Sequence, residues 1–211
     1  MRPSHARAAL AAALIAAGVL GLADVSPARS RPCRPAGSRT LALSPQARVY
    51  RQRSHSYACL FARNHPYRLD RVTRFDDRVD FPLAVHGPLL AGTFAAYVLQ
   101  GPTTGGQVES SVHSLNLRTG QLRSRNALSD QASAEGEETE YVRRLFLKSN
   151  GSIAWSADAP AEQGAEIAKL DPGFTLLDQG PEPALSPASM RLSGSTLSWQ
   201  DAGTTRTASL N

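Results

Sequence analysis

Cys33 and Cys59 are the only thiols in the chain. They lie too far apart for a C-x-x-C redox motif and are too few for a zinc site. An even count behind an export signal reads as a structural disulfide. Closing a loop of about 27 residues would stabilise the fold by roughly 3 kcal/mol in the chain-entropy model. The histidines beyond the leader are His55, His65, His86 and His113. His55 and His65 flank Tyr57 and Cys59, but no pair has the H-E-x-x-H spacing of a zinc protease. Asp76, Asp77 and Asp80 cluster within Phe75-Asp76-Asp77-Arg78-Val79-Asp80-Phe81. Clustered carboxylates suit calcium, but this spacing departs from D-x-D-x-D-G and Arg78 interrupts it. Glu135, Glu137, Glu138 and Glu140 form a second acidic run, dense enough to predict a solvated loop. There is no G-x-S-x-G and no phosphate-cradling loop, and Gly105-Gly106 reads as a turn. Glycosidase carboxylates need only meet in space. The sequence therefore names no catalytic residue, no cofactor ligand and no metal ligand. Asn150-Gly151-Ser152 matches a glycosylation sequon, although a hairpin turn explains it equally.

Charge is distributed unevenly. Of the 23 basic residues only Lys148 and Lys169 are lysines. Between positions 29 and 78, twelve arginines stand against Asp70, Asp76 and Asp77. Beyond position 78, acidic residues outnumber basic ones. An arginine-rich half suits a polyanion. For an exported chain that means an anionic envelope polymer or acidic lipid rather than nucleic acid. The bland reading is a solvated surface rich in arginine.

The compartment is read from the first segment. Residues 1–28 have a positive start (Arg2, His5, Arg7), then the apolar run AALAAALIAAGVLGL at 8–22, then small residues. The run is shorter than the roughly 20 residues of a membrane span and fits a secretory signal peptide. Cleavage is expected between Ala23 and Ala28. No Leu-x-Gly-Cys or Leu-x-Ala-Cys precedes Cys33, so a lipid anchor is not expected, and no later run is long and apolar enough to span a membrane. The mature chain is expected to be secreted, or periplasmic and envelope-associated. It divides into an N-terminal arm at 29–40 and one β domain at 41–211.

The 211 residues are 41% hydrophobic and 19% charged, which excludes a disordered or fibrous chain. With 16 glycines and 14 prolines, many short elements are expected rather than a few long helices. Four short alternating runs end near an aromatic: Tyr50, Tyr97, Trp155 and Trp199. An apolar run precedes each, at 41–43, 83–85, 145–147 and 190–192. A third strand follows at 57–61, 112–117, 167–170 and 205–210, and a fourth at 67–69, 121–123 and 175–177. Asn150-Gly151, Arg118-Thr119-Gly120, Asp171-Pro172-Gly173 and Ser193-Gly194-Ser195 supply the tight turns. The period is about 45 residues once the 126–140 insert is set aside, which predicts an all-β, propeller-like array of four short four-stranded antiparallel blades. A β-sandwich or irregular barrel is the alternative. In a meander the connections alternate between two ends. One end receives the tight turns and the other the long loops at 73–81, 100–108, 126–140, 157–163 and 179–187.

Leu115-Asn116-Leu117-Arg118-Thr119-Gly120 is similar to the end of a degenerate blade. Asn150-Gly151-Ser152-Ile153-Ala154-Trp155 is similar to a blade's strand start. On these strings the chain resembles secreted WD-repeat-like and TolB-like β-propellers over most of 40–211, without the Gly-His and Trp-Asp pairs of true WD repeats. The resemblance implies a fold and no activity. The function expected is a non-enzymatic scaffold that binds a protein or glycan through the long-loop face. Electrostatic association with anionic envelope polymer is one alternative, and an extracellular hydrolase is the other.

Overall fold

The structure, a computed structural model, describes residues 33–71, 83–102, 108–128, 141–158 and 164–211. These residues are all-β, with fifteen strands and no helix. The first sheet comprises β1 (Arg39–Leu43), β2 (Ala47–Gln52), β3 (His55–Leu60) and β4 (His65–Arg68). The second comprises β5 (Ala84–Ala91), β6 (Phe94–Pro102), β7 (Val108–Asn116) and β8 (Leu122–Asn126). The third comprises β9 (Tyr141–Leu147), β10 (Ile153–Asp158), β11 (Ala165–Asp171) and β12 (Gly173–Gly180). The fourth has three strands, β13 (Leu185–Ser193), β14 (Thr196–Asp201) and β15 (Thr204–Ser209). Every pairing is antiparallel and joins neighbours in sequence, so each sheet is a meander. Four separate sheets in a propeller-like arrangement replace the sandwich and barrel alternatives.

Packing runs in chain order. β1 and β2 meet β5; β5, β6 and β7 meet β9; β9, β10 and β11 meet β13. Three apolar cores fill the three gaps between consecutive sheets. The alternation of the second strands follows from this. Ala95, Tyr97 and Leu99 of β6 face the first sheet, while Ala96 and Val98 face the third. Ile153, Trp155 and Ala157 of β10 face the second sheet, and Ala154 faces the fourth. A strand buried on both sides reads as a continuous apolar run, as these do. In β14 only Leu197 and Trp199 are buried, and Thr196 and Gln200 are exposed. The fourth sheet thus presents a polar outer face, with Thr205, Thr207 and Ser209 opposite Gln200, Ser198 and Thr196.

Three of the four periodic aromatics, Tyr97, Trp155 and Trp199, share one structural role and point toward the preceding sheet. Trp155 donates its indole N–H to Ala127 O just beyond β8 (2.7 Å), and Trp199 donates to Asp178 Oδ2 of β12 (2.6 Å). Tyr97 lies in the core against the first sheet. Tyr50 has no preceding sheet among the described residues. It stacks on Tyr57 (5.4 Å) in a small cluster with Cys33, Cys59 and Phe61. The Cys33–Cys59 disulfide, with Cα atoms 5.3 Å apart, fastens the N-terminal arm there. Arg48 completes the cap, donating to Thr40 Oγ1, Cys33 O and Ser38 O, with its guanidinium over the Tyr50 ring. The arm therefore stands where a preceding sheet would be.

A second repeated feature is a bulge between the first two strands of every sheet. The register shifts at Thr40/Ala42, at His86/Leu89, between Ser156 and Ala157 opposite β9, and at Ser186/Arg191. Bulges bend and twist a strand. Here they recur on the four strands that approach one another.

Candidate functional site

The two ends of the sheets differ in construction. At the tight-turn end, loops of neighbouring sheets are tied together. Ser114 Oγ donates to Gly151 O (2.7 Å), Lys148 Nζ to Leu210 O (2.7 Å), and Asn150 Nδ2 to Asn211 O (2.6 Å). Asp171 accepts from the Asn211 N–H (2.5 Å) and from Ser152 Oγ (2.8 Å). Burial alone would raise the Asp171 carboxyl; the Asn211, Ser152 and Lys169 contacts outweigh it and hold it below its ordinary value.

The opposite end carries a groove of about 450 Å³ between the second and third sheets. Its walls are the start of β5, the end of β6 and β9. Leu89, Val98 and Leu145, which pack in the core shared by these two sheets, give an apolar floor, and His86, Gln100, Arg143 and Arg144 supply polar groups. Two bulges shape it. At β5, Gly87 takes φ +51° ahead of Pro88, which offers no N–H. At β9, consecutive Arg143 and Arg144 both stay exposed where strict alternation would bury one. Arg143 pairs with Asp158. Arg144 donates to Ala188 O (3.3 Å) in the β13 bulge, which leaves its positive charge unneutralised by that neutral acceptor. A concave apolar floor with a few convergent polar groups is the usual form of a small-molecule site.

A second polar cluster lies between the first and second sheets. Ser111 Oγ and His113 Nε2 are 2.7 Å apart, and the Tyr97 ring stacks on His113 at 4.9 Å. Burial lowers His113 to about 4. Burial, and then the Asp70 charge, pushes the Tyr97 hydroxyl well above its ordinary range. A serine beside a neutral imidazole resembles a nucleophile with its base. However, His113 Nδ1 is buried with no partner among the described residues. Among the described residues no carboxylate orients the ring, and burial disfavours the imidazolium that a general base must become. This geometry holds a neutral histidine and is poorly suited to nucleophilic catalysis.

The remaining sequence candidates are dispersed. His55 Nδ1 meets Asp70 Oδ2 (2.9 Å), and His65 lies edge-on to Tyr67. His86 is in the groove and His113 in the buried cluster. Among the described residues no group of three His, Cys, Asp or Glu side chains could hold a metal. Asp76, Asp77, Asp80 and the run from Glu135 to Glu140 lie outside the described residues. Of the five long loops, 179–187 is shorter than expected, because β12 continues to Gly180 and β13 starts at Leu185. The 100–108 segment is also partly strand, in β6 and β7. Most of the other three lies outside the described residues. Sequence reasoning missed the groove, although Gly87-Pro88 inside a strand-like run and the Arg143-Arg144 pair were its available signals. No family model matches the chain, and no curated protein matches it. Among the described residues no helix is long and apolar enough to cross a membrane.

Proposed function

We propose that the protein is an exported, non-enzymatic binding module, a propeller-like scaffold that seats a protein or glycan ligand at its long-loop end. The observation that carries this reading is the groove between the second and third sheets, with Arg143, Arg144, His86 and Gln100 above an apolar floor. Export rests on the leader-like residues 1–28 and accords with the Cys33–Cys59 bridge, since disulfides persist in oxidising compartments. The kinship proposed is with degenerate WD-repeat-like and TolB-like blades.

The test is retention of the mature protein on native envelope fractions at low and high salt. Retention that survives salt and disappears when the groove is filled by His86→Trp supports the module. Retention that high salt abolishes and His86→Trp leaves unchanged favours the second reading. That reading is electrostatic association of the first sheet with anionic polymer, and it rests on the exposed Arg39, Arg51, Arg53, Arg63 and Arg71.

A further inference from the structure

We infer that the groove between the second and third sheets recognises an acidic sugar, a saccharide unit bearing a carboxylate, with Arg144 as the anion-binding residue. This rests on the groove being the binding site. Two features of the groove point to the ligand class. The first is charge. Arg143 already pairs with Asp158, whereas among the described residues Arg144 meets the neutral Ala188 carbonyl, which it shares with Arg191. A guanidinium held from one side by a carbonyl keeps donors for a planar carboxylate, the geometry in which arginine binds most strongly. The second is shape. A floor of Leu89, Val98 and Leu145 suits the C–H face of a ring, with the exposed His86 beside it for hydroxyls. A volume of about 450 Å³ falls within the usual range for small ligands.

The backbone argues against a peptide. Both strands that border the groove, β5 and β9, are edge strands, the usual templates for an added strand. Yet β5 is broken by Gly87 and Pro88, and β9 is bulged at Arg143. Bulges and proline block strand addition. Recognition must therefore come from side chains, which suits a sugar better than an extended chain.

The test is calorimetric titration of the mature protein with a galacturonate trisaccharide, its neutral methyl ester, a glutamate-rich peptide and inorganic phosphate. The expected result is binding of the trisaccharide, with the ester and the Arg144→Met variant each weaker by about tenfold or more, the loss of one charge-assisted pair. Arg118→Ala, exposed at the tight-turn end, should leave binding unchanged. Leu89→Trp should abolish it, and should that variant fold poorly, His86→Trp fills the same groove from an exposed position. Equal binding of acid and ester, untouched by Arg144→Met, overturns acid recognition and leaves the groove reading standing. Preference for the peptide, or phosphate binding as tightly as the trisaccharide, overturns the sugar. Trisaccharide binding that survives the groove-filling variants overturns the groove reading itself. No binding of any probe overturns the acidic-sugar inference, and envelope retention then decides the broader reading independently.

Discussion

The tight-turn end and the groove end are built from the same fifteen strands but use their polar groups differently. At the tight-turn end polar side chains face inward on backbone groups of the next sheet, as Ser114 does on Gly151, Lys148 on Leu210 and Asp171 on Asn211. At the groove end Arg143, Arg144 and His86 remain exposed beside a cavity. Both ends fasten sheets, the groove end through Trp155 to Ala127, Ser156 to Pro187 and Trp199 to Asp178, but the groove end also leaves a space between them. Stability and binding should therefore separate between the fastening contacts and the groove, and substitutions can break or sharpen that division.

The largest effect is expected from the disulfide, whose partners cap the first sheet near the β3–β4 turn. Cys33→Ser with Cys59→Ser opens a loop spanning 26 positions and should cost roughly 3–4 kcal/mol in urea unfolding. It should release Tyr50, now 2% exposed, to solvent-accessible fluorescence quenchers. A double variant with unchanged unfolding would mean the arm is held by the Arg48 hydrogen bonds alone.

Next is the acid dependence of the buried imidazole. His113 is neutral in the folded protein down to about pH 4, while an unfolded histidine protonates near 6.5. Its folded value is depressed, so stability is whole above about pH 6.5 and falls as the pH drops toward 4, by up to about 3 kcal/mol. Below 4 both states carry the proton and this slope ends. His113→Phe should flatten that segment of the stability–pH curve; an unchanged slope would assign it to other groups.

Gly151 is a smaller test of the tight-turn end. It sits at φ +90°, and a Cβ there would overlap the Phe94 ring of the neighbouring sheet. Gly151→Ala should cost about 1–3 kcal/mol by strain and overpacking, read by thermal unfolding. Asp171→Ala removes the acceptor for the Asn211 N–H and Ser152, for about 1–2 kcal/mol. Because the native carboxyl is held below its ordinary value, its contribution is present above the unfolded pKa and lost as acid titrates the native group. Faster amide exchange at Asn211 in that variant would locate the loss.

Most of this architecture was legible in the sequence, because its signals are local. Asn150-Gly151 marks the β9–β10 hairpin, and the aromatics at 50, 97, 155 and 199 mark the second strand of each unit. Both depend on neighbouring residues whose backbone preferences and burial are set within a few positions. The role of those aromatics was not legible. That Trp155 reaches Ala127 and Trp199 reaches Asp178 depends on how sheets stack, and no periodicity encodes stacking. The groove escaped for the same reason, since His86 and Arg144 are 58 positions apart and meet only through the approach of β5 to β9. The arginine-rich first unit misled in part. Arg48 and Arg34 lie over Tyr50 and Phe61, and Arg68 pairs with Asp70, so that unit has fewer uncommitted charges than its composition suggests.

The smallest expected effect on stability separates the two ends most sharply. Arg144 is exposed, and its one hydrogen bond is a 3.3 Å contact to a carbonyl at the protein surface. Arg144→Met keeps the apolar stem that covers β9 and removes the charge. Surface substitutions of this kind change stability by about 0.5 kcal/mol or less. Chemical unfolding of Arg144→Met should therefore overlay the parent within that margin, while its affinity for a carboxylate-bearing saccharide falls. A loss of more than about 1 kcal/mol would show that the Ala188 contact fastens the third sheet to the fourth. Arg144 would then share the structural role of the fastening contacts, and the division between fastening and binding would fail at the residue on which the binding reading depends most.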